Sequence, residues 1–256
     1  MRLTLPAIAI VFAAPFLACA ASTDTKSAVP AYVTAALNDP ARKEDSADDA
    51  RRQLAAVMTF AGVKPGQKVV ELVPGQGYWT RAFSSIVGVN GHVYTVWPDG
   101  MQKYAAKSLV TWQGLVTKAP YTNVALLQQA SADLVIPEPA DLVFTCQNYH
   151  DYHDKFMGPV DMAAFNKKVF AGLKPGGVFV VIDHVATAGS GFADTDTLHR
   201  VDPEAVKKEI EAAGFVFDGE SDALKNPADP HTAAVFDQAI RGHTDQFIFR
   251  FKKPAK

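Results

Sequence analysis

The stretch VVELVPGQGYWT, Val69–Thr80, decides how this chain is read. An apolar run ending at Glu71, Leu72 and Val73 has the composition of a buried strand. It breaks at Pro74-Gly75-Gln76-Gly77, and from Tyr78 apolar side chains recur at helical spacing through Trp79, Phe83, Ile86 and Val87. Two glycines let the backbone approach a ligand closely, and a helix starting directly after them aims its free amides and partial positive charge into the same crevice. A glycine pair between strand and helix can equally be steric alone, so the order of the surrounding elements has to decide.

That order is regular. Upstream, Leu54, Val57, Met58 and Ala61 repeat at helical spacing behind polar Asp48, Asp49, Arg51 and Arg52, and Gly62 with Lys64-Pro65-Gly66 ends the helix. Downstream, strands are predicted at 92–97, 123–127, 141–146 and 178–183, with a helix carrying Met162, Phe165, Val169 and Phe170 before the last of these. Asp202-Pro203 opens a further helix as cap and first-turn residue, Val206, Ile210 and Ala213 form its apolar face, and Gly214 stops it. Strands at 215–218 and 246–251 close the pattern, with loop around Asn226–Pro230 between them. Strands separated by helical segments, with near-continuous apolar runs such as VFVVI, predict an α/β fold with a parallel sheet covered on both faces.

With 256 residues and a formal charge of -2, the chain is long enough for one large core and carries no basic stripe suited to nucleic acid. A small or neutral partner fits the balance better. The N-terminus differs in kind: Arg2 precedes an apolar run to Leu17, and Ala18-Cys19-Ala20-Ala21 supplies small residues for cleavage, the layout of a secretory signal over residues 1–21. An exported, periplasmic protein is expected. Phe16-Leu17-Ala18-Cys19 also resembles a lipoprotein cleavage box, so a lipid on Cys19, or an uncleaved anchor, would tie the chain to a membrane. Residues 22–46 show no period and read as a linker or N-terminal arm, leaving 47–256 as the functional domain. Without Cys19, only Cys146 remains, so no intrachain disulfide forms, and Cys146 reads as a small buried hydrophobe.

Taken in sequence, VKPG, VVELVPGQGYWT, GHVYTV, ADLVF, LKPGGVFVVIDH and EAAGFVF resemble the class I S-adenosylmethionine-dependent methyltransferases along nearly all of the chain after the signal, with LKPGG and its following strand the most specific match. The likeness is strongest to exported bacterial members. The resemblance implies a Rossmann-like, doubly wound, seven-stranded and mostly parallel sheet, its last strand inserted antiparallel beside the fifth. It implies S-adenosyl-L-methionine as cofactor, a small-molecule acceptor, and cofactor contacts from Glu71, Pro74, Gly75, Gly77, Tyr78 and Asn148. The family's first glycine is replaced by Val73. Its ribose-binding acid falls near Trp97, with Asp99 the nearest substitute, and its adenine-side acid is matched at best by Asp133. These departures leave open a ligand-binding module that keeps the fold without catalysis. A dinucleotide site is disfavoured, since Thr80 stands where the last small residue of GxGxxG belongs.

The stretch TCQNYHDYHD, Thr145–Asp154, follows the fourth strand, at the rim of the same crevice. Methyl transfer needs alignment of acceptor and methyl and removal of a proton from the nucleophile. His150 is the first candidate for that base, His184 and His199 the next, with Tyr149 or Asn148 positioning the acceptor. His150 and His153 with Asp151 and Asp154 also offer metal-type donors, but HxxH lacks a third placed ligand, and no metal is assigned.

Overall fold

The computed structural model describes residues 28–255, so the expected export signal over 1–21 lies outside the described residues. Seven strands form one sheet: β1 (Lys68–Leu72), β2 (His92–Pro98), β3 (Val124–Gln129), β4 (Ala140–Cys146), β5 (Leu173–His184), β6 (Val216–Ser221) and β7 (Gln246–Lys252). Their spatial order is β3-β2-β1-β4-β5-β7-β6. Six run parallel, and β7 pairs antiparallel with both β5 and β6. The doubly wound sheet with an antiparallel seventh strand is therefore present as the sequence leads one to expect. β5 starts earlier than expected, at Leu173, because the LKPGG turn remains tied to the chain beyond β7 through Gly176 and Gly177 bonding to Lys253.

Strand periodicity sorts side chains between two cores. One face carries Val69, Val93, Leu142, Phe144, Val180 and Ile248 under helices α1 (Ala31–Leu37), α2 (Leu54–Ala61), α3 (Tyr78–Val87) and α4 (Gln102–Leu115). The other carries Val70, Leu72, Val143, Phe179 and Val181 under α5 (Met162–Gly172) and α7 (Pro203–Glu211), while a single turn, α6 (Thr195–Leu198), lies between β5 and α7. Asp202 caps α7 by accepting from the Glu204 amide at 3.0 Å, with Pro203 in the first turn, as its sequence signature predicts. Gly62, at φ +70, ends α2 in the left-handed conformation.

Two elements are not anticipated by the sequence pattern. The 22–46 segment, read as a linker or arm, holds α1 and two short 3-10 turns from residue 30 onward, and Val33, Ala36 and Arg42 are buried. The Arg42 guanidinium donates to the Ala36 carbonyl at 3.1 Å and to Asp49 at 2.7 Å, which pins the arm to the start of the domain that follows it. α4, between β2 and β3, buries only Leu109 and Trp112 of its firmly placed side chains, too few apolar positions to show a period. Among the described residues no helix is long and apolar enough to cross a membrane.

Candidate functional site

The loop between β1 and α3 opens a cleft of about 590 Å³ at the carboxyl ends of β1 and β4. Its floor and walls include Glu71, Val73, Pro74, Gly75, Tyr78, Trp79 and, from the end of β4, Cys146, Gln147 and Asn148. The third wall is the segment ahead of α2, through Glu44 and Asp45 of the N-terminal arm and Asp48 and Arg52 just beyond it. In an open α/β sheet this is the edge where ligands bind, because the helix amino termini and loop amides converge there.

Val73 and Gly75 both adopt left-handed backbone, at φ 51 and φ 56. A β-branched residue is strained in that region, so the chain follows a glycine-type path at Val73 without having a glycine there. Gly75 has open space where a side chain would start, and it lies on the cleft. Gly77 answers to something else: a Cβ there would sit 1.6 Å from Cζ2 of Trp112, so α4 requires this glycine.

Strand parity turns Glu71 under α3, where it is buried and accepts a hydrogen bond from the Thr80 hydroxyl. Desolvation pushes its carboxyl up to about 8, against the opposing influence of Thr80 and Arg81. Arg81 in turn forks onto Asp45 of the arm and donates to the Gln76 carbonyl at 2.9 Å, joining arm, loop and α3. Tyr78 donates its hydroxyl to Asp49 at 2.6 Å beneath the Arg52 guanidinium, whose centre lies 4.6 Å from the ring centroid. Burial pushes the Cys146 thiol up to about 12, so it stays neutral at the cleft floor.

The second strand departs from the expected cofactor contacts. Trp97 has the parity of Val93 and is buried in the core, away from the cleft lining. Asp99 is exposed but accepts hydrogen bonds from the Ser131 hydroxyl and amide and from the Gly100 amide, so it braces the loop after β3. Asp133 forms an ion pair with Lys168 on the surface.

Beyond Asn148 the chain coils through a 3-10 turn, His150–His153. Asn148 donates to Asp151 at 3.1 Å, linking the cleft to a second polar cluster. His150 is buried, its Nδ1 2.8 Å from Asp183 at the end of β5 and its Nε2 3.2 Å from Nδ1 of His199. Asp151 reaches His150 Nε2 at 3.3 Å and His199 Nδ1 at 3.7 Å. Burial alone disfavours the imidazolium of His150, yet Asp183 and Asp151 outweigh it and hold the ring at about 10. Both its nitrogens are engaged internally, so in this arrangement His150 has no free lone pair for a substrate proton. His199 is the more exposed member of the pair.

The other candidates separate from this cluster. His184 pairs with the Thr244 hydroxyl at 2.7 Å, and desolvation lowers it to about 4. Tyr149 is fully buried, donating to Glu209 and accepting from Asn166, so it is fixed in the core rather than presented to an acceptor. His153 stacks on Phe192 with centroids 3.8 Å apart, and the HxxH pair therefore diverges. The sequence reading missed the arm carboxylates, Arg81, and the convergence of Asp183 with His150 and His199. The Asp-His ending of β5 was visible, but nothing local tied it to a histidine after β4.

No protein-family profile matches the sequence, and none of the curated proteins does. The fold is shared with many solved structures. A SAM-dependent methyltransferase from Aquifex aeolicus superposes with a TM-score of 0.53 at 19% identity, covering 86% of this chain and 96% of its own. The glycopeptide N-methyltransferase MtfA with sinefungin gives 0.53 at 16% identity, covering 80% and 85% respectively. The cyclase SpnF gives 0.56 at 17% identity, covering 80% and 81%. These are similarities of fold. The architecture is that of the Rossmann-like methyltransferases, and it also serves a cyclase.

Proposed function

We propose that this chain is an S-adenosyl-L-methionine-dependent methyltransferase acting on a small-molecule acceptor. The observation that carries the reading is the cleft at the ends of β1 and β4, formed by the strand, glycine loop and helix of a methyltransferase-type sheet. Its residues fit the cofactor at the loop: Gly75 leaves open space beside the backbone, and the cleft edge is rich in carboxylates that suit a cation. They do not fit at the second strand, where Trp97 is in the core and Asp99 is committed to Ser131.

When bound, the cofactor supplies an electrophilic methyl group on a sulfonium sulfur. Glu71, Pro74, Gly75, Tyr78 and Asn148 would hold it in the cleft. Glu44 on the arm is the acid available to ribose hydroxyls in place of Asp99, since Asp45 is committed to Arg81 and Asp48 to Arg51. The arm also walls the cleft on one side. Asn148 and the His150–His199 pair behind it form the acceptor side, with Asp151 and Asp183 fixing the two rings. Export through the 1–21 signal belongs to the same proposal.

Titration calorimetry of the untagged protein with S-adenosylmethionine and with its demethylated product tests the reading. One site per chain is expected for both; binding of neither would overturn it. The departures at Trp97 and Asp99 favour one rival, a binding module without catalysis. Transfer of a labelled methyl group to any member of a panel of hydroxyl, amine and thiol acceptors would exclude that rival.

A further inference from the structure

The cluster behind Asn148 has a geometry that hydrogen bonding alone does not require. Three donor atoms face one another: His150 Nε2, His199 Nδ1 and Asp151 Oδ1, at mutual distances of 3.2, 3.3 and 3.7 Å. Nitrogen and oxygen ligands held at ~2.0–2.1 Å by a tetrahedral ion stand ~3.3–3.4 Å apart, and these edges bracket that value. An octahedral magnesium with the same bond length would draw neighbouring ligands to ~2.9–3.0 Å, closer than any edge here. We propose that His150, Asp151 and His199 form a mononuclear site for a tetrahedral divalent transition-metal ion of the zinc class.

The surroundings supply what such a site needs. Asp183 holds Nδ1 of His150 at 2.8 Å and also accepts from the His150 amide at 2.9 Å, so Nε2 is turned toward the other two donors. A carboxylate behind a ligating histidine fixes its ring and tautomer in this way. His199, at φ 53 after the short α6, is carried to the same place by the bridge of Val201 to Val185 beyond β5. An independent sign of a missing cation is Asp154. It is 2% exposed, and both its carboxylate oxygens are buried without a hydrogen-bond partner. The neighbouring Thr195 hydroxyl is close enough to act on this carboxylate, but its formed bond goes to the Phe192 carbonyl at 3.2 Å. The Asp154 carboxylate is close enough to interact electrostatically with both His150 and Asp151. An ion among the three donors would take the place of the proton shared by the two imidazoles and would offset this buried charge.

Three protein ligands leave a fourth position, as in catalytic zinc sites. His199 is partly exposed and Asn148 joins Asp151 to the cleft, so water or a donor atom of the acceptor can fill it. An acceptor hydroxyl on the ion becomes more acidic and passes its proton to water at the partly exposed side of His199, so neither ring has to take it. That use rests on the methyl-transfer reading; ion binding itself does not.

The test uses the untagged full chain, stripped by a chelator and titrated with Zn²⁺ by calorimetry and with Co²⁺ by visible absorption. One ion per chain and the intense bands of tetrahedral Co²⁺ are expected. His199→Ala, at the partly exposed position, should remove stoichiometric binding while circular dichroism shows the fold intact. Asp151→Asn is the second ligand variant. Asp183→Asn should weaken Zn²⁺ roughly 10–100-fold, the usual effect of losing such a support. Failure of the parent protein to bind either ion stoichiometrically, or unchanged binding in both ligand variants, would overturn the site. Zinc binding without cofactor binding would leave the site standing and remove the methyl-transfer reading; cofactor binding without zinc would do the reverse.

Discussion

Gly77→Ala and Gly75→Ala look alike on paper, two residues apart in one loop, yet they should behave differently. Both residues have positive φ, +81 and +56, so a side chain costs each about 1–2 kcal/mol of backbone strain. At Gly75 nothing lies within 4 Å of the new carbon, and the cost should end there. At Gly77 the carbon would stand 1.6 Å from Cζ2 of Trp112, an indole that is itself 1% exposed and unable to retreat without moving α4. Overpacking of that kind adds about 1–3 kcal/mol, for a total of about 2–5 kcal/mol. Urea unfolding followed by tryptophan fluorescence measures both, and with a slope near 3 kcal/mol/M the Gly77 variant should lose roughly 0.7–1.7 M in midpoint. In a Trp112→Leu background the Gly77→Ala increment should fall to the backbone part, about 1–2 kcal/mol. Cofactor titration should show the reverse order, with Gly75→Ala the more damaging because its methyl enters the cleft. Equal stability losses in the two variants, or an undiminished Gly77→Ala increment in the Trp112→Leu background, would refute the division of labour between the glycines.

Glu71 is raised to about 8 in the folded chain from an ordinary value of 4.5, so between those pH values the folded state holds a proton that the unfolded state lacks. Its stabilising contribution is present below pH ~4.5 and declines by up to roughly 1.4 kcal/mol per pH unit as pH rises toward 8; Glu71→Gln should flatten unfolding free energies measured between pH 5 and 8, and an unchanged slope would count against the buried neutral acid. Arg200, fully buried, donates to the Ala233 and Val185 carbonyls and at 2.9 Å to Asp229. Arg200→Ala leaves the Asp229 carboxylate without its counter-charge, held only by the His231 and Asp245 amides, and should cost about 3–5 kcal/mol, visible as a lowered midpoint in chemical or thermal unfolding. Intact mass of the native protein should show residues 1–21 removed, or a lipidated Cys19 as the new N-terminus. An unprocessed chain starting at Met1 would contradict export by cleavage.

Most of the sheet is legible in the sequence because doubly covered strands are nearly all apolar and the helices between them carry an apolar stripe, as Phe83 and Ile86 or Val206 and Ile210 show. Parts that depend on tertiary placement are not. α4 has a sparse apolar face, and α1 is stabilised by Arg42 and by packing on α3, neither of which a local period records. Trp97 looked like a ligand contact by position along the chain; its parity on β2 sends it under the helices instead. The strand, glycine turn and helix beside the cleft are readable, since they are contiguous in sequence. The cluster of His150, Asp183 and His199 was not, because its members come from three segments joined only by the fold, the two histidines standing 49 positions apart in sequence. Tyr149 shows the opposite failure: adjacent to Asn148 in sequence, it turns inward to Glu209 while Asn148 faces the cleft.

β7 follows the other six strands of the sheet in sequence, yet it stands inside the sheet, hydrogen-bonded to β5 on one side and β6 on the other. During synthesis β5 is complete at His184, but its partner is not finished until Lys252. At ~5–20 residues per second the interval is about 3–14 s. For that time the growing polypeptide exposes bare strand edges with no mate, the most association-prone surface a sheet can offer. Assembly order is thus the reverse of chain order at this end. The sheet remains unfinished, and available to any holding factor that recognises an open edge, until β7 emerges.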